Sequence, residues 1–159
     1  MGHLFRASGE NYTEWSSGFA SYLTDYKQGS HGLSVAVRCR IGDLETIDLA
    51  LLDTGAEWSV ISGDTATILG DRLGPPSETI QMSTRFGTLL GALHRVNITL
   101  LAEENCGYDL TVEGSVFVPE DWAGPTVLGY RGFMERVRIA LDPGAILDQQ
   151  IFFFGSVDR

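Results

Sequence analysis

Apolar residues recur at every second position along most of this chain. Leu33, Val35, Val37, Cys39 and Ile41 share one face of an extended segment, and Ser34, Ala36, Arg38 and Arg40 share the other. That period of two predicts a half-buried strand. Gly42-Asp43 supplies a turn, and residues 45–52 return as the second arm of a hairpin. This arm becomes apolar on both faces near its end, as a strand entering a core does. Asp64 reads as the N-cap of a short helix over 65–69, which Gly70 would end. Residues 78–84 and 88–100 form a second hairpin turning at Arg85-Phe86-Gly87, with Leu90, Ala92, His94, Val96, Ile98 and Leu100 on one face. Leu110, Val112, Gly114, Val116 and Val118 continue the alternation. A loop over 119–125, a short buried strand over 126–128, one or two helical turns over 131–137, and strands over 138–142 and 151–154 complete the pattern.

Residues 1–32 lack such periodicity and read as an N-terminal arm. Phe19, Tyr22, Leu23 and Tyr26 have helical spacing there, which allows a short docked helix. The periodic domain is 33–159. The full chain's length of 159 residues and its 43% hydrophobic content suffice for one buried core and exclude a disordered acidic tail. The chain has 11 Lys+Arg against 21 Asp+Glu, a net charge of −10. This balance argues against a nucleic-acid partner and against an anionic membrane surface. No apolar run is long enough for a membrane helix, and the first residues carry no signal-peptide pattern. Cys39 and Cys106 are too few for a disulfide scaffold and read as reduced thiols of a cytoplasmic protein. Three His and two Cys form no metal-ligand spacing, so neither a metal nor another cofactor is expected.

The chemical signal is Leu51-Leu52-Asp53-Thr54-Gly55-Ala56. A carboxylate at the end of a buried apolar strand is costly to ionise without partners. Gly55 lets backbone approach closely and offers an N–H to that carboxylate, and the Thr54 hydroxyl can tie the loop. An ordinary Asp-Thr-Gly turn uses the same residue types. No Gly-x-Ser-x-Gly elbow or glycine-rich phosphate loop competes as a site. His94 reads as a core or flap residue rather than a catalyst. Trp58 either lines a pocket or covers the core, and Phe152-Phe153-Phe154 suits either a dimer strand or a core strand.

The stretch from Ala50 to Ile61, apolar-apolar-Asp-Thr-Gly-Ala followed by Ser59-Val60-Ile61, resembles the active-site segment of retropepsin-like aspartic proteases. Val127-Leu128-Gly129 resembles the second landmark of that family, and the segment from Gly129 to Gly155 looks like its bacterial single-domain members. The resemblance covers about residues 33–155. It implies a mostly β chain folded as an acid-protease closed β-barrel with one or two short helices. It further implies catalysis by Asp53, an active-site loop supported by Thr54, Gly55, Ala56 and Gly129, and a substrate-binding flap at Arg85, Phe86 and Gly87. One Asp-Thr-Gly per chain implies a homodimer in which two Asp53 carboxylates activate water to hydrolyse a peptide or protein substrate. The alternative is a retropepsin-fold dimer that binds or scaffolds a peptide without cleaving it. Three positions depart from the pattern. Tyr130 stands where retroviral members carry Arg, with Arg131 one place later. Glu57 replaces the usual Asp, and the flap has only Gly87 and Gly91. The sequence allows Glu57 and Arg131 either to pair or to stand apart.

Overall fold

The computed structural model describes residues 16–25, 34–84, 87–145 and 149–157. Phe5, Trp15, Tyr26, Arg85 and Phe86 lie outside those residues. The described chain is mostly β. Its strands are β1 (Gly18–Ser21), β2 (Leu23–Asp25), β3 (Ser34–Ile41), β4 (Asp48–Leu52), β5 (Ser59–Val60), β6 (Glu78–Thr84), β7 (Gly87–Leu100), β8 (Leu110–Pro119), β9 (Val127–Leu128), β10 (Val137–Asp142) and β11 (Ile151–Ser156). One α-helix, α1 (Gly63–Leu69), runs into a 3-10 turn at Gly70–Leu73, and a second 3-10 turn spans Met134–Arg136.

Eight strands form one sheet in the order β2-β3-β4-β9-β5-β8-β7-β6, and β3 also pairs with β7 through Cys39↔Leu100, Arg40↔Thr99 and Ile41↔Ile98. The remaining three form a second sheet in the order β1-β11-β10. The main core gathers Val37, Cys39, Ile41, Ile98, Leu100, Leu128, Phe133, Phe152 and Phe154. Burial, and secondarily the negative charge of Asp48, push the Cys39 thiol up to about 12. Cys106 is likewise a free thiol. A smaller cluster holds Val60, Met82, Leu93 and Phe117.

Tertiary pairing overrides local pattern in several places. The helix expected near residue 20 is instead the strands β1 and β2, which pair with β11 and β3. Gly18, Ala20 and Tyr22 are buried, a period of two, while Leu23 is exposed. A free strand edge at β11 offers this segment backbone partners that a helix would forgo. Ser62, not Asp64, caps α1: its hydroxyl accepts the Thr65 N–H at 3.2 Å, and the helix starts two residues earlier than expected. The helical turns expected over 131–137 shrink to one 3-10 turn, because Gly132 sits at φ +79, where a helix cannot continue.

Strand β7 changes face along its length. Val96, Ile98 and Leu100 enter the main core, as the alternation predicts. Nearer the turn from β6, Gly91 and Leu93 are the buried residues and Leu90 is exposed. The sheet carries a core cluster on each face there: Leu93 sits opposite Phe117 in the smaller cluster, and His94 sits opposite Val116, which is in the main core. His94 is half-buried, with Nδ1 3.2 Å from the Gly74 carbonyl oxygen. The C-terminal Phe triplet resolves as a core strand. Phe152 and Phe154 are buried, and Phe153 packs on Phe19 with ring centroids 5.4 Å apart.

Candidate active site

Leu51 and Leu52 of β4 run parallel to Val127 and Leu128 of β9, with β3 on the other side. This central position delivers Asp53 at the strand end, where its N–H donates to the Leu128 carbonyl at 3.1 Å. The chain then turns on itself. The Gly55 N–H donates to Asp53 Oδ1 at 2.9 Å, and the Ala56 N–H donates to the Asp53 carbonyl at 3.1 Å. The carboxylate therefore organises its own loop, as Asp does in turns. Asp53 is half-buried, and Thr54 and Gly55 are exposed. The Thr54 hydroxyl makes no hydrogen bond to another described residue of this chain.

The segment after β9 straps this loop from beneath. The Gly129 N–H donates to the Oγ of buried Ser59 at 3.0 Å. Tyr130 N–H reaches the Ala56 carbonyl at 2.9 Å, and Arg131 N–H reaches the Glu57 carbonyl at 2.8 Å. The Gly129 and Tyr130 carbonyls in turn accept from Met134 and Glu135 at 3.2 and 3.1 Å. Arg131 and Glu57 pair at 2.8 Å, and the guanidinium carbon lies 5.2 Å from the Trp58 ring centroid. The displaced Arg thus reaches its acid. Both partners are more than half exposed, so the ion pair contributes at most about 1 kcal/mol. A further network lies behind: Asp48 Oδ2 accepts from Thr126 at 2.6 Å and Thr65 at 3.0 Å, while Ser62 N–H donates to Thr126 Oγ1 at 3.2 Å. It joins α1 to β4 and to the residue preceding β9.

Asp53 and Ala56 open onto a cavity of about 510 Å³, walled also by Val60, Met82, Trp122 and Val127. The hairpin of β6 and β7 supplies Met82, Ser83 and Thr84 to this wall. Gly87 pairs with Thr84, whose hydroxyl donates to the Gly87 carbonyl at 2.8 Å. The structure thus brings Asp53, Gly55 and Ala56 together with the end of β6. Sequence reasoning placed Val127 in the second landmark but did not connect it, Met82 or Trp122 with this cavity. A large aromatic in a Pro- and Gly-bounded loop just before the second landmark was the available signal. A concavity of about 500 Å³ beside Asp43, Arg72 and Arg95 has its charges already matched as Arg72–Asp43 and Arg95–Glu113. Among the described residues there is no group of three metal-ligating side chains and no helix long and apolar enough to cross a membrane.

No family model matches the sequence, and no curated protein matches it. Solved structures do match. A retropepsin-like aspartic protease from Rickettsia conorii is 14% identical, with a TM-score of 0.54 over 89% of this chain and 95% of that one. The retroviral protease-like domain of Ddi1 from Leishmania major is 18% identical, with a TM-score of 0.47 over 77% and 93%. The protease of equine infectious anaemia virus, solved with an inhibitor, is 21% identical, with a TM-score of 0.40 over 66% and 86%. The Rickettsia structure carries the comparison, and at that identity it establishes the fold alone: this chain has a retropepsin-like fold.

Proposed function

We propose that this chain is an aspartic endopeptidase that hydrolyses peptide bonds between the Asp53 carboxylates of two copies. The observation that carries the proposal is Asp53 itself. It sits at the end of a central strand, bonded by the Gly55 N–H, half-buried, and open to a cavity large enough for substrate side chains. Among the described residues, Glu57 is the other acid in that cavity, and it is engaged by Arg131. A second catalytic carboxylate therefore comes from another protomer, and the exposed Thr54 and Gly55 lie on the surface that such a partner would cover.

In that dimer, two carboxyl groups about 3 Å apart hold one proton between them. The protonated group polarises the scissile carbonyl, and the ionised one takes a proton from water. The hydroxide adds to the carbonyl carbon, the C–N bond breaks, and the leaving nitrogen takes up a proton. The flap strand β6 ends the large sheet, and its outer edge suits an extended peptide backbone. The β3–β7 pairing is read here as closure of the strands into a barrel.

Peptide-library cleavage by wild type and Asp53→Asn tests the proposal. The substitution should lower kcat/KM by about 10²–10⁴-fold or more while leaving the circular dichroism spectrum unchanged. Specific activity of the wild type should also fall on dilution as the shared site dissociates, followed in parallel by sedimentation. An equally active Asp53→Asn chain, or a fully active monomer, would reject it.

A further inference from the structure

We infer that two copies of this chain join edge to edge through β10, antiparallel about Ala140, so that Arg138 of each copy faces Asp142 of the other. The inference rests on the reading given above, in which the Asp53 site is incomplete without a second copy.

β10 ends the β1-β11-β10 sheet, and among the described residues no strand pairs with its outer edge. The groups facing that edge follow from the far side of β11. The Tyr22 N–H donates to the Gln150 carbonyl at 3.4 Å, one step beyond the pair Ser21↔Ile151. Backbone groups alternate in direction along a strand, so Phe152 and Phe154 also turn theirs to β1. Ile151, Phe153 and Gly155 turn theirs to β10, where they meet Asp142, Ala140 and Arg138. Val137, Ile139 and Leu141 are left with N–H and C=O directed outward, an open template for another strand. Side chains divide the same way. Ile139 and Leu141 stand opposite Phe154 and Phe152 on the core face. Ile139 packs on the core, but Leu141 is 41% exposed. Arg138, Ala140 and Asp142 share the other face.

A two-fold antiparallel pair is centred on one residue and its own copy. Centred on Ala140, Ile139 exchanges both backbone bonds with the partner's Leu141, and each exposed Leu141 gains an apolar neighbour. Arg138 and Asp142 lie two residues either side of that centre. Each therefore meets its opposite charge at a non-hydrogen-bonded position, where side chains approach most closely. Other centres do worse. Arg138 as centre sets like charges directly opposite. Leu141 as centre sets Arg138 against Gly144. Ile139 as centre sets Arg138 against Ala140, and Asp142 against Arg136, which lies in the 3-10 turn and donates to the Glu113 carbonyl at 3.0 Å. Arg138 is already engaged within its own chain, and Asp142 Oδ1 accepts the Gly144 N–H at 2.9 Å. A guanidinium has five donors and a carboxylate two oxygens, so the pair adds to these contacts. β10 also issues directly from the 3-10 turn whose Met134 and Glu135 N–H groups bond the Gly129 and Tyr130 carbonyls. A joint at β10 is thus tied to the segment beneath Asp53.

Cysteine trapping reads this register directly. In a Cys106→Ser background, Ala140→Cys sets two thiols across the axis, with Cα atoms about 4.5 Å apart and within disulfide reach. Oxidised glutathione should convert it to a disulfide-linked dimer on non-reducing gels. Arg138→Cys and Asp142→Cys should each stay unlinked alone and link when the two are mixed. Charge reversal reads the same pair without cysteine. Arg138→Glu and Asp142→Arg should each weaken dimerisation several-fold in sedimentation, and the two together should restore most of it. Leu141→Pro removes an N–H that β11 does not use, so it should keep the fold and lose the dimer. If a charge variant fails to fold by circular dichroism, Ala140→Cys and Leu141→Pro carry the comparison. A wild type that dimerises while Ala140→Cys stays unlinked, or linking of Arg138→Cys or Asp142→Cys alone, would overturn the inference and leave the peptidase reading standing. A linked dimer without any peptide hydrolysis by the wild type would support the joint and reject the peptidase. A chain that stays monomeric at every concentration would overturn both.

Discussion

Gly129 is the residue at which the second landmark becomes physical. A Cβ there would lie 2.4 Å from both the carbonyl carbon and oxygen of Trp58, and 2.8 Å from the Ser59 nitrogen. These are backbone atoms of the segment that follows the Asp53 loop, and they cannot rotate away as a side chain tip can. The same close approach lets Gly129 N–H reach the Ser59 hydroxyl inside the core. Gly129→Ala should therefore cost about 3 kcal/mol, as overpacking against an unyielding neighbour does, and should displace the Asp53 loop along with it. Urea unfolding measures the first effect. A destabilisation under about 0.5 kcal/mol would mean that the two segments do not pack this closely.

Single contacts fix the edges of elements as well as their interiors. The loop after β7 latches β1 through Glu103, whose Oε1 accepts both the Ser21 N–H, at 2.9 Å, and the Ser21 hydroxyl. Those hydrogen bonds first, and Arg38 at 3.8 Å after them, hold the Glu103 carboxyl below its ordinary value of 4.5. The ionised form is thus favoured in the folded state. Its stabilisation is complete above about pH 4.5 and is lost as pH falls through the lower folded value. Glu103 is largely solvated, so the effect is screened. Glu103→Gln should cost under about 1 kcal/mol at pH 7. The gap between variant and wild type should narrow towards pH 3 as the wild-type carboxyl protonates. Urea midpoints at the two pH values check the sign; a gap that widens in acid would contradict it.

For the molecule as a whole, the position of β11 decides how it can assemble. Both edges of β11 are already paired within the chain, with β1 on one side and β10 on the other. Phe152 and Phe154 are buried in the main core. A partner protomer therefore cannot add a strand to β11, and the dimer proposed above must form elsewhere, with the exposed Asp53 loop as its centre. Deleting residues 151–159 should abolish folding rather than release a folded monomer. Two buried Phe side chains, at about 3–5 kcal/mol each, are comparable with the whole stability of a small domain. Near-ultraviolet circular dichroism and sedimentation of the truncated chain distinguish the outcomes; a compact, cooperatively unfolding monomer would show that β11 is dispensable.

The alternation in residues 34–41 and 96–100 was enough to mark the strands, because one face of each meets a single core for that whole length. Asp53-Thr54-Gly55 was equally legible, since a carboxylate and a glycine at the end of an apolar strand have a local consequence: the Gly55 N–H closes on Asp53. What lies on the far side of a strand was not legible. The face change in β7 depends on a second cluster built by Val60, Met82 and Phe117, which are distant in sequence. The strand state of Gly18–Ser21 depends on the edge of β11, over 130 residues later. Glu57 and Arg131 meet only because β9 runs parallel to β4 and carries Arg131 alongside Trp58. Trp122 became a wall of the Asp53 cavity for the same reason. Local sequence set the conformations that neighbouring residues enforce on one another, and the tertiary structure decided every feature whose partner lies across a sheet.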